Sequence, residues 1–447
     1  MLLTVTMIKT NRRSFLKQLT ATGIAMPYVA RTSWAQNSPS QTLRHASFGG
    51  GGMAMADLTT ISTAKNVNLV ACAELDPGRA KQFKQRFPET KVYSDWREML
   101  DKEGCNIDSV NVSTPDHLHA AMAMSSMQLG KHVYGQKPLT HDIYECRQVQ
   151  NYAKEKGLVT QMGIQIHSHV FYRSAVEMVQ GGVIGKIKEV HTWSSKKWGD
   201  NSPKPDKKDK VPEGLNWEHW IGPAPYTDYI NGYYHPGNWR KRLDYGTGTF
   251  GDMGCHIYDP VFKAVALTSP LSLKSTGPKP NKHNWATNAV IRYTFPKTPF
   301  TADKTVDVIW YDGDERPPKD IQALLGGKKI PSQGSIFIGT KGVMLLPHIG
   351  KPTLYPEKDF DGFEYPKLDK VNHWDSFVEA CRGNGKTSAN FDYAGPLTET
   401  VLLGGVATRF PGKDLKWDTK KLEFTNEPKA AQYVRKQYRK GWEVEGL

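Results

Sequence analysis

The run Gly49-Gly50-Gly51-Gly52-Met53-Ala54 limits what this chain can fold into more than any other stretch. It follows a short strand candidate at 43–48 and spells G-x-G-x-x-A. Gly49 suits a tight turn, Gly51 a close approach of backbone to a pyrophosphate, and Ala54 a helix packed hard on a strand. Gly52 and Met53 complete the turn and open that helix. A glycine run alone could be any flexible loop, so the context decides. A second apolar strand candidate, 67–73, ends on Glu74, 20 residues after Ala54. A carboxylate there accepts hydrogen bonds from ribose hydroxyls, and its charge disfavours a 2′-phosphate. Together these signals imply a dinucleotide site that takes NAD in preference to NADP.

The alternation continues with a helix at 77–87, a strand at 91–93, a helix at 96–102 and a strand at 109–113. Strand and helix at these lengths predict a doubly wound parallel sheet, whose ligands sit at the carboxyl ends of the strands. Thr114-Pro115-Asp116-His117-Leu118-His119 falls there. Thr114, Pro115 and His117 are expected to line the nicotinamide side, whereas His119 reads equally well as helix-start polarity. After a helix at 117–129 and a strand at 131–135, Gln136-Lys137-Pro138 aims a lysine at the same crevice.

From about residue 160 the pattern changes, predicting a dinucleotide domain over 36–160 and a substrate domain over 161–447. The later half centres on LDYGTGTFGDMGCHIYD, residues 243–259. In a helix, Asp252, His256 and Asp259 fall at i, i+4 and i+7 on one face. A carboxylate and an imidazole side by side suit general-base chemistry, although a capping acid and a core histidine would leave the same pattern. Five of the twelve tryptophans lie between 193 and 239, with Tyr226, Tyr229, Tyr233 and Tyr234 among them. Aromatic faces beside hydrogen-bonding groups suit sugar rings, and Trp193 and Trp239 are the candidates for contact. Residues 195–214 read as a loop or lid insertion, 372–408 as a region of amphipathic helices, and 430–442 as a basic helix.

Taken together, Gly49 to Ala54, Glu74, Thr114 to His119, Gln136-Lys137-Pro138 and Asp252-Met253-Gly254-Cys255-His256 with Asp259 make the chain resemble the glucose–fructose oxidoreductase / inositol dehydrogenase family (Gfo/Idh/MocA). The resemblance implies a Rossmann domain followed by an α+β domain with an open, mostly antiparallel sheet, and a homo-oligomer. It implies Lys137, Asp252 and His256 as the catalytic set, with the same three touching substrate. Gln136 departs from the family's usual Glu, and the strand at 44–48 is more polar than usual.

The N-terminal Asn11-Arg12-Arg13-Ser14-Phe15-Leu16-Lys17, a weakly apolar stretch, and Ser33-Trp34-Ala35 read as a twin-arginine export signal over 1–35. A periplasmic protein is expected. Beyond that segment no apolar run nears the roughly 20 residues of a membrane helix, so no membrane anchor remains after cleavage. The formal charge of +14 includes five cations in 1–35, and the remainder is scattered. No basic, aromatic-interleaved stripe suggests nucleic acid. The five cysteines are odd in number and lack CxxC spacing, so buried free thiols and no metal site are expected.

The expected activity is nicotinamide-dependent oxidation or reduction of a sugar, polyol or glycoside. An NAD-dependent glycosidase working by transient oxidation, and a non-catalytic sugar- or cofactor-binding protein, are the other readings.

Overall fold

The computed structural model describes residues 42–447; the expected export signal lies outside the described residues. The first half contains β1 (Leu43–Phe48), α1 (Met53–Ile61), β2 (Val67–Ala73), α2 (Pro77–Arg86), β3 (Lys91–Tyr93) and α3 (Trp96–Glu103). It continues with β4 (Ser109–Val112), α4 (His119–Gln128), β5 (His132–Gly135), α5 (Ile143–Glu155) and β6 (Thr160–Met162). Helix starts follow local chemistry: Asp76, Asp95 and Asp142 each accept from a first-turn N–H. The strands pair in parallel in the order β3-β2-β1-β4-β5-β6. Strand order therefore reverses between β1 and β4, and a crevice opens at their carboxyl ends.

The polar residues of β1 are satisfied by its neighbour. His45 is wholly buried, with Nδ1 at 2.8 Å from Ser109 Oγ and Nε2 at 3.0 Å from Asn111 Oδ1, both on β4. Arg44 donates from Nε to Asp108 at 3.0 Å. A polar strand can thus sit centrally because its partners are built into the strand beside it.

The second half carries α6 (Val170–Gln180), β7 (Ile187–Ser194), α7 (Trp217–Ile221), α8 (Gly248–Ala264), β8 (Ser272–Ser275), β9 (Val290–Pro296) and β10 (Thr305–Asp312). After α9 (Lys319–Ala323) come β11 (Gln333–Gly339), β12 (Val343–Pro347), β13 (Thr353–Tyr355), α10 (His373–Cys381), α11 (Phe391–Ala407), β14 (Asp414–Asp418) and β15 (Glu423–Phe424). Nine strands form one sheet, β13-β12-β11-β7-β10-β9-β8-β14-β15. Its pairs are antiparallel except β7 with β10. Helix α8 packs between this sheet and the helices α6 and α11.

Three expectations change. β6 straddles the boundary drawn at 160, and α10 returns to pack on α1, burying Phe377 and Val378 with Leu43 and Ile61. The two halves therefore interleave; the helices expected within 372–408 are present as α10 and α11. The tail at 430–442 is not a helix. A 3-10 turn, Pro428–Tyr433, gives way to irregular chain whose Tyr438 donates to Glu145 at 2.7 Å and whose Trp442 is buried. Anchors four residues apart imitate helical spacing while each binds a different surface. Finally, Cys105 is exposed, whereas the other four cysteines are buried.

Candidate active site

The crevice at the β1/β4 reversal is walled by both halves of the molecule and encloses about 1380 Å³ free of protein atoms, counting its mouth. Gly49, Gly51, Gly52, Met53, Glu74, Thr114, Pro115, Lys137, Trp239, Asp252 and His256 all line it.

At the turn after β1, Gly49 adopts φ +99°, and a Cβ there would lie 2.7 Å from the Ser113 carbonyl oxygen. Only glycine meets both demands. Gly52, also at positive φ, stands at the start of α1 with open space where a Cβ would point. The turn thus offers bare backbone at a helix N-terminus, the fit a pyrophosphate requires. Glu74 closes it from the side: its carboxylate accepts from the N–H groups of Gly50 and Asp76, both at 2.9 Å. The residues present therefore fit a dinucleotide.

At the far end, Lys137 leaves β5 and Asp252 lies in the first turns of α8. The Lys137 ammonium donates to Asp252 Oδ1 at 2.7 Å and to its main-chain carbonyl at 2.9 Å. Arg240 Nε donates to the same Oδ1 at 3.3 Å, and Trp198 Nε1 donates to Oδ2 at 2.9 Å. Burial would raise the Asp252 carboxyl, but the charges of Lys137 and Arg240 outweigh it and hold the group well below the usual carboxylate range. The Arg240 guanidinium sits between indoles, 4.2 Å from the Trp239 ring centroid and 5.3 Å from that of Trp198.

His256 is one turn further along α8 and is pushed well below an ordinary imidazole, first by burial and then by the Lys137 charge. Its Nδ1 is buried without a hydrogen-bond partner. Asp252 therefore does not orient His256; its carboxylate is occupied by Lys137, Arg240 and Trp198. His256 instead faces the His348 ring at 5.9 Å, and His348 Nδ1 lies 2.7 Å from the Tyr172 hydroxyl. Asp259, on the same helix, is spent elsewhere, accepting from Tyr393 at 2.6 Å and lying 2.8 Å from His167 Nδ1.

Two expected site residues are outside the crevice. Trp193 is wholly buried among Ile309, Leu325 and Ile336, and its Nε1 donates to the Pro331 carbonyl at 2.8 Å. It is core on the opposite face of the nine-stranded sheet from α8. His117 is also turned away: its Nε2 meets the Trp220 carbonyl at 3.0 Å and its ring packs on Tyr245. His119 braces two strand ends, with ring nitrogens 2.7 Å from the Pro138 carbonyl and 2.8 Å from the Thr114 carbonyl.

The departure at Gln136 has a structural partner. Gln136 Nε2 donates at 2.8 Å to Asp57 of α1, which also receives Ser113 Oγ at 2.8 Å and Trp374 Nε1 at 2.9 Å. Burial pushes Asp57 up to about 6. Sequence reasoning missed Asp57, and it placed Trp198 and Arg240 in the aromatic-rich stretch without assigning either to Asp252. Asp57 carries no motif, and Trp198 hides in the expected loop. Arg240 follows Trp239 directly, and that adjacency was the available signal.

Residues 43–164 match a family model described as an oxidoreductase family, NAD-binding Rossmann fold, and residues 178–444 match its companion, the C-terminal alpha/beta domain. A levoglucosan dehydrogenase of Pseudarthrobacter phenanthrenivorans is 27% identical over 187 residues, 42% of this chain and 40% of that protein. A scyllo-inositol 2-dehydrogenase (NAD(+)) of Bacillus subtilis is 29% identical over 126 residues, 28% of this chain and 36% of that protein. The match thus spans two fifths or less of these relatives' length. The solved WlbA dehydrogenase of Bordetella pertussis, in complex with NADH and UDP-GlcNAcA, superposes with a TM-score of 0.61 at 14% identity. It covers 85% of this chain and 98% of that one, a likeness of fold.

Proposed function

The chain belongs to the GFO/IDH/MocA oxidoreductase family, and from that premise we propose that it moves hydride between a hydroxyl-bearing carbon of a sugar, polyol or glycoside and a tightly held NAD. The observation that carries this reading is the convergence of Lys137, Asp252 and His256 on a crevice whose other end is a bare glycine turn. A bound nicotinamide supplies the hydride acceptor or donor.

The rest follows from the chain's own groups. An ammonium has three N–H donors, and Lys137 gives two to Asp252. The third is left for the reacting oxygen, whose negative charge it would stabilise. His256, kept neutral by burial and by Lys137, accepts the hydroxyl proton on a ring nitrogen. Asp252 positions Lys137. Trp239 lines the crevice beneath Arg240, and the Arg240 guanidinium gives only its Nε to Asp252, leaving its remaining N–H groups for a sugar's hydroxyls. The charge of Glu74 supports NAD over NADP.

The Arg12-Arg13 motif supports export of the folded chain by the twin-arginine route. No pool of free NAD is maintained outside the cytoplasm, so such a protein would leave loaded and close its redox cycle without exchanging cofactor.

Denaturing the purified protein, identifying any released nucleotide by mass spectrometry, and screening sugars, polyols and glycosides for turnover tests this reading. A nicotinamide dinucleotide and a keto product are expected. No nucleotide and no turnover in any of the three classes overturns it. Free sugar released from a glycoside without net NADH would assign the redox-neutral glycosidase instead.

A further inference from the structure

The crevice has a second wall at its nucleotide end that the Rossmann half does not supply. Glu74 and Leu75 follow β2, and Ser94 and Trp96 follow β3; all four line the crevice. Opposite them, also lining it, are His219, Trp220, His235 and Pro236 from the second half of the chain.

These residues belong to a small module with its own core. Trp217, Trp220, Tyr229, Tyr234 and Tyr245 cluster separately from the main core, with Trp217 and Trp220 stacked at 4.7 Å. Stacked and edge-on aromatic contacts make the module rigid by itself. Its attachment to the Rossmann half is different in kind. Leu75 packs against it and the His117 ring enters its aromatic core beside Trp220 and Tyr245, whereas the links along the rim of the crevice are polar. His235 Nε2 lies 2.6 Å from Asp76 Oδ2, with side chains only 13% and 23% exposed. His219 Nε2 lies 3.4 Å from the Arg97 guanidinium. The chain's end backs this contact: Trp442 covers Arg97 at 4.1 Å and meets the His219 ring at 5.8 Å, while Arg439 donates to the Gly222 carbonyl at 2.8 Å. The polar links at the rim exchange for water at small net cost, whereas the aromatic core with His117 does not, so the rim of the module can part from the Rossmann half while its core stays packed.

We propose that residues 215–245, backed by the tail at Arg439 and Trp442, form a clasp over the adenosine half of the dinucleotide, and that release of the nucleotide waits on its opening. The inference rests on the dinucleotide reading above and adds residues to that site. Such a clasp would slow loss of nucleotide between turnovers, since Glu74 lines the crevice on one side and His219, Trp220, His235 and Pro236 line it on the other. The His235–Asp76 contact is one latch beside the crevice, and Arg79, which donates to the Pro236 carbonyl at 3.5 Å, is another.

The test uses the full chain loaded with NADH, chased with excess NAD, following loss of nicotinamide fluorescence in stopped flow. His235→Ala and Trp442→Ala are each expected to speed release roughly tenfold, the loss of one charge-assisted bond or one aromatic anchor. His235→Gln, which keeps a donor toward Asp76, should release closer to the unaltered rate. Release at the unaltered rate in both alanine variants overturns the clasp. Should the variants fail to fold, hydrogen exchange on the unaltered protein decides. Amides of 215–245 should exchange more slowly with NADH bound than after the nucleotide is stripped, and equal exchange overturns the proposal. Failure of the unaltered protein to bind NADH at all would instead sink the dinucleotide reading on which the proposal stands.

Discussion

Lys137 and Asp252 come from different halves of the molecule and meet in an ion pair of 2.7 Å, reinforced by a bond from the same ammonium to the Asp252 carbonyl. Both side chains are largely buried, so neither charge is stable there without the other. Lys137→Ala is expected to lower kcat/KM by about a hundredfold or more through loss of the donor to the reacting oxygen. Asp252→Asn should cost a similar factor, because Lys137 and Arg240 then face one another without a counter-charge. Circular dichroism checks the fold. Near-normal turnover in Lys137→Ala would remove the lysine from the mechanism.

His256 offers a pH signature. Burial and the neighbouring Lys137 charge both push it well below 6.5, so it stays neutral through the range in which a free imidazole would protonate. An NMR titration should therefore show no transition of His256 near pH 6.5. Replacing Lys137 by Met removes a positive charge, which favours the protonated ring and must move the transition upward. His256→Ala should lower kcat about a hundredfold or more. A His256 titrating normally in the unaltered protein would contradict the burial on which this rests.

Glu74 is engaged twice within the chain, by the N–H groups of Gly50 and Asp76, and so holds the glycine turn as well as facing the nucleotide. Glu74→Ala is expected to weaken NAD binding and to narrow the gap between NAD and NADP, since the repulsion of a 2′-phosphate is gone. Glu74→Gln separates the two roles, keeping an acceptor for the turn without the charge. Fluorescence titration with NADH and NADPH reads both. An unchanged preference in both variants would confine Glu74 to bracing the turn.

The glycine turn, Glu74, Lys137, Asp252 and His256 were legible because each lies in a short contiguous motif whose spacing its element enforces. Two side chains one turn apart on α8 must share a face whatever surrounds them. Aromatic density was a poorer guide. It located the 215–245 module but could not say which way Trp193 points, because a strand sends alternate residues to opposite faces and a neighbouring strand decides which is core. His117 was misplaced similarly: its position at a strand end was right, but Trp220 and Tyr245, more than a hundred residues later, claim its ring. Arg240 and Trp198 reach Asp252 only through the fold of the second half. The 430–442 segment shows the converse, a helical spacing of anchors without a helix.

The pairing of Asp57 with Gln136 accounts for the amide where a carboxylate is usual. Asp57 is buried and already pushed up to about 6 while accepting an N–H from Gln136 at 2.8 Å. Gln136→Glu would set a second carboxylate at that distance, and two buried like charges cannot both ionise. An acid whose folded pKa lies above its unfolded value binds more protons in the folded state. Its effect on stability is therefore unfavourable once pH rises past the unfolded value, and grows until pH passes the folded one. For the unaltered chain that window runs from roughly 4, the ordinary carboxylate value, to about 6. In Gln136→Glu it extends upward, because one proton must be retained by the pair. The variant is thus expected to melt close to the unaltered protein at pH 5 and several degrees lower at pH 8, a loss of about 1–3 kcal/mol. The exchange variant, Asp57→Asn with Gln136→Glu, restores one acid facing one amide and should recover most of that loss at pH 8. Thermal melts at the two pH values decide it. A single variant as stable as the unaltered chain at pH 8 would mean that the pair is open to water and that Gln136 is not held there by the charge of Asp57.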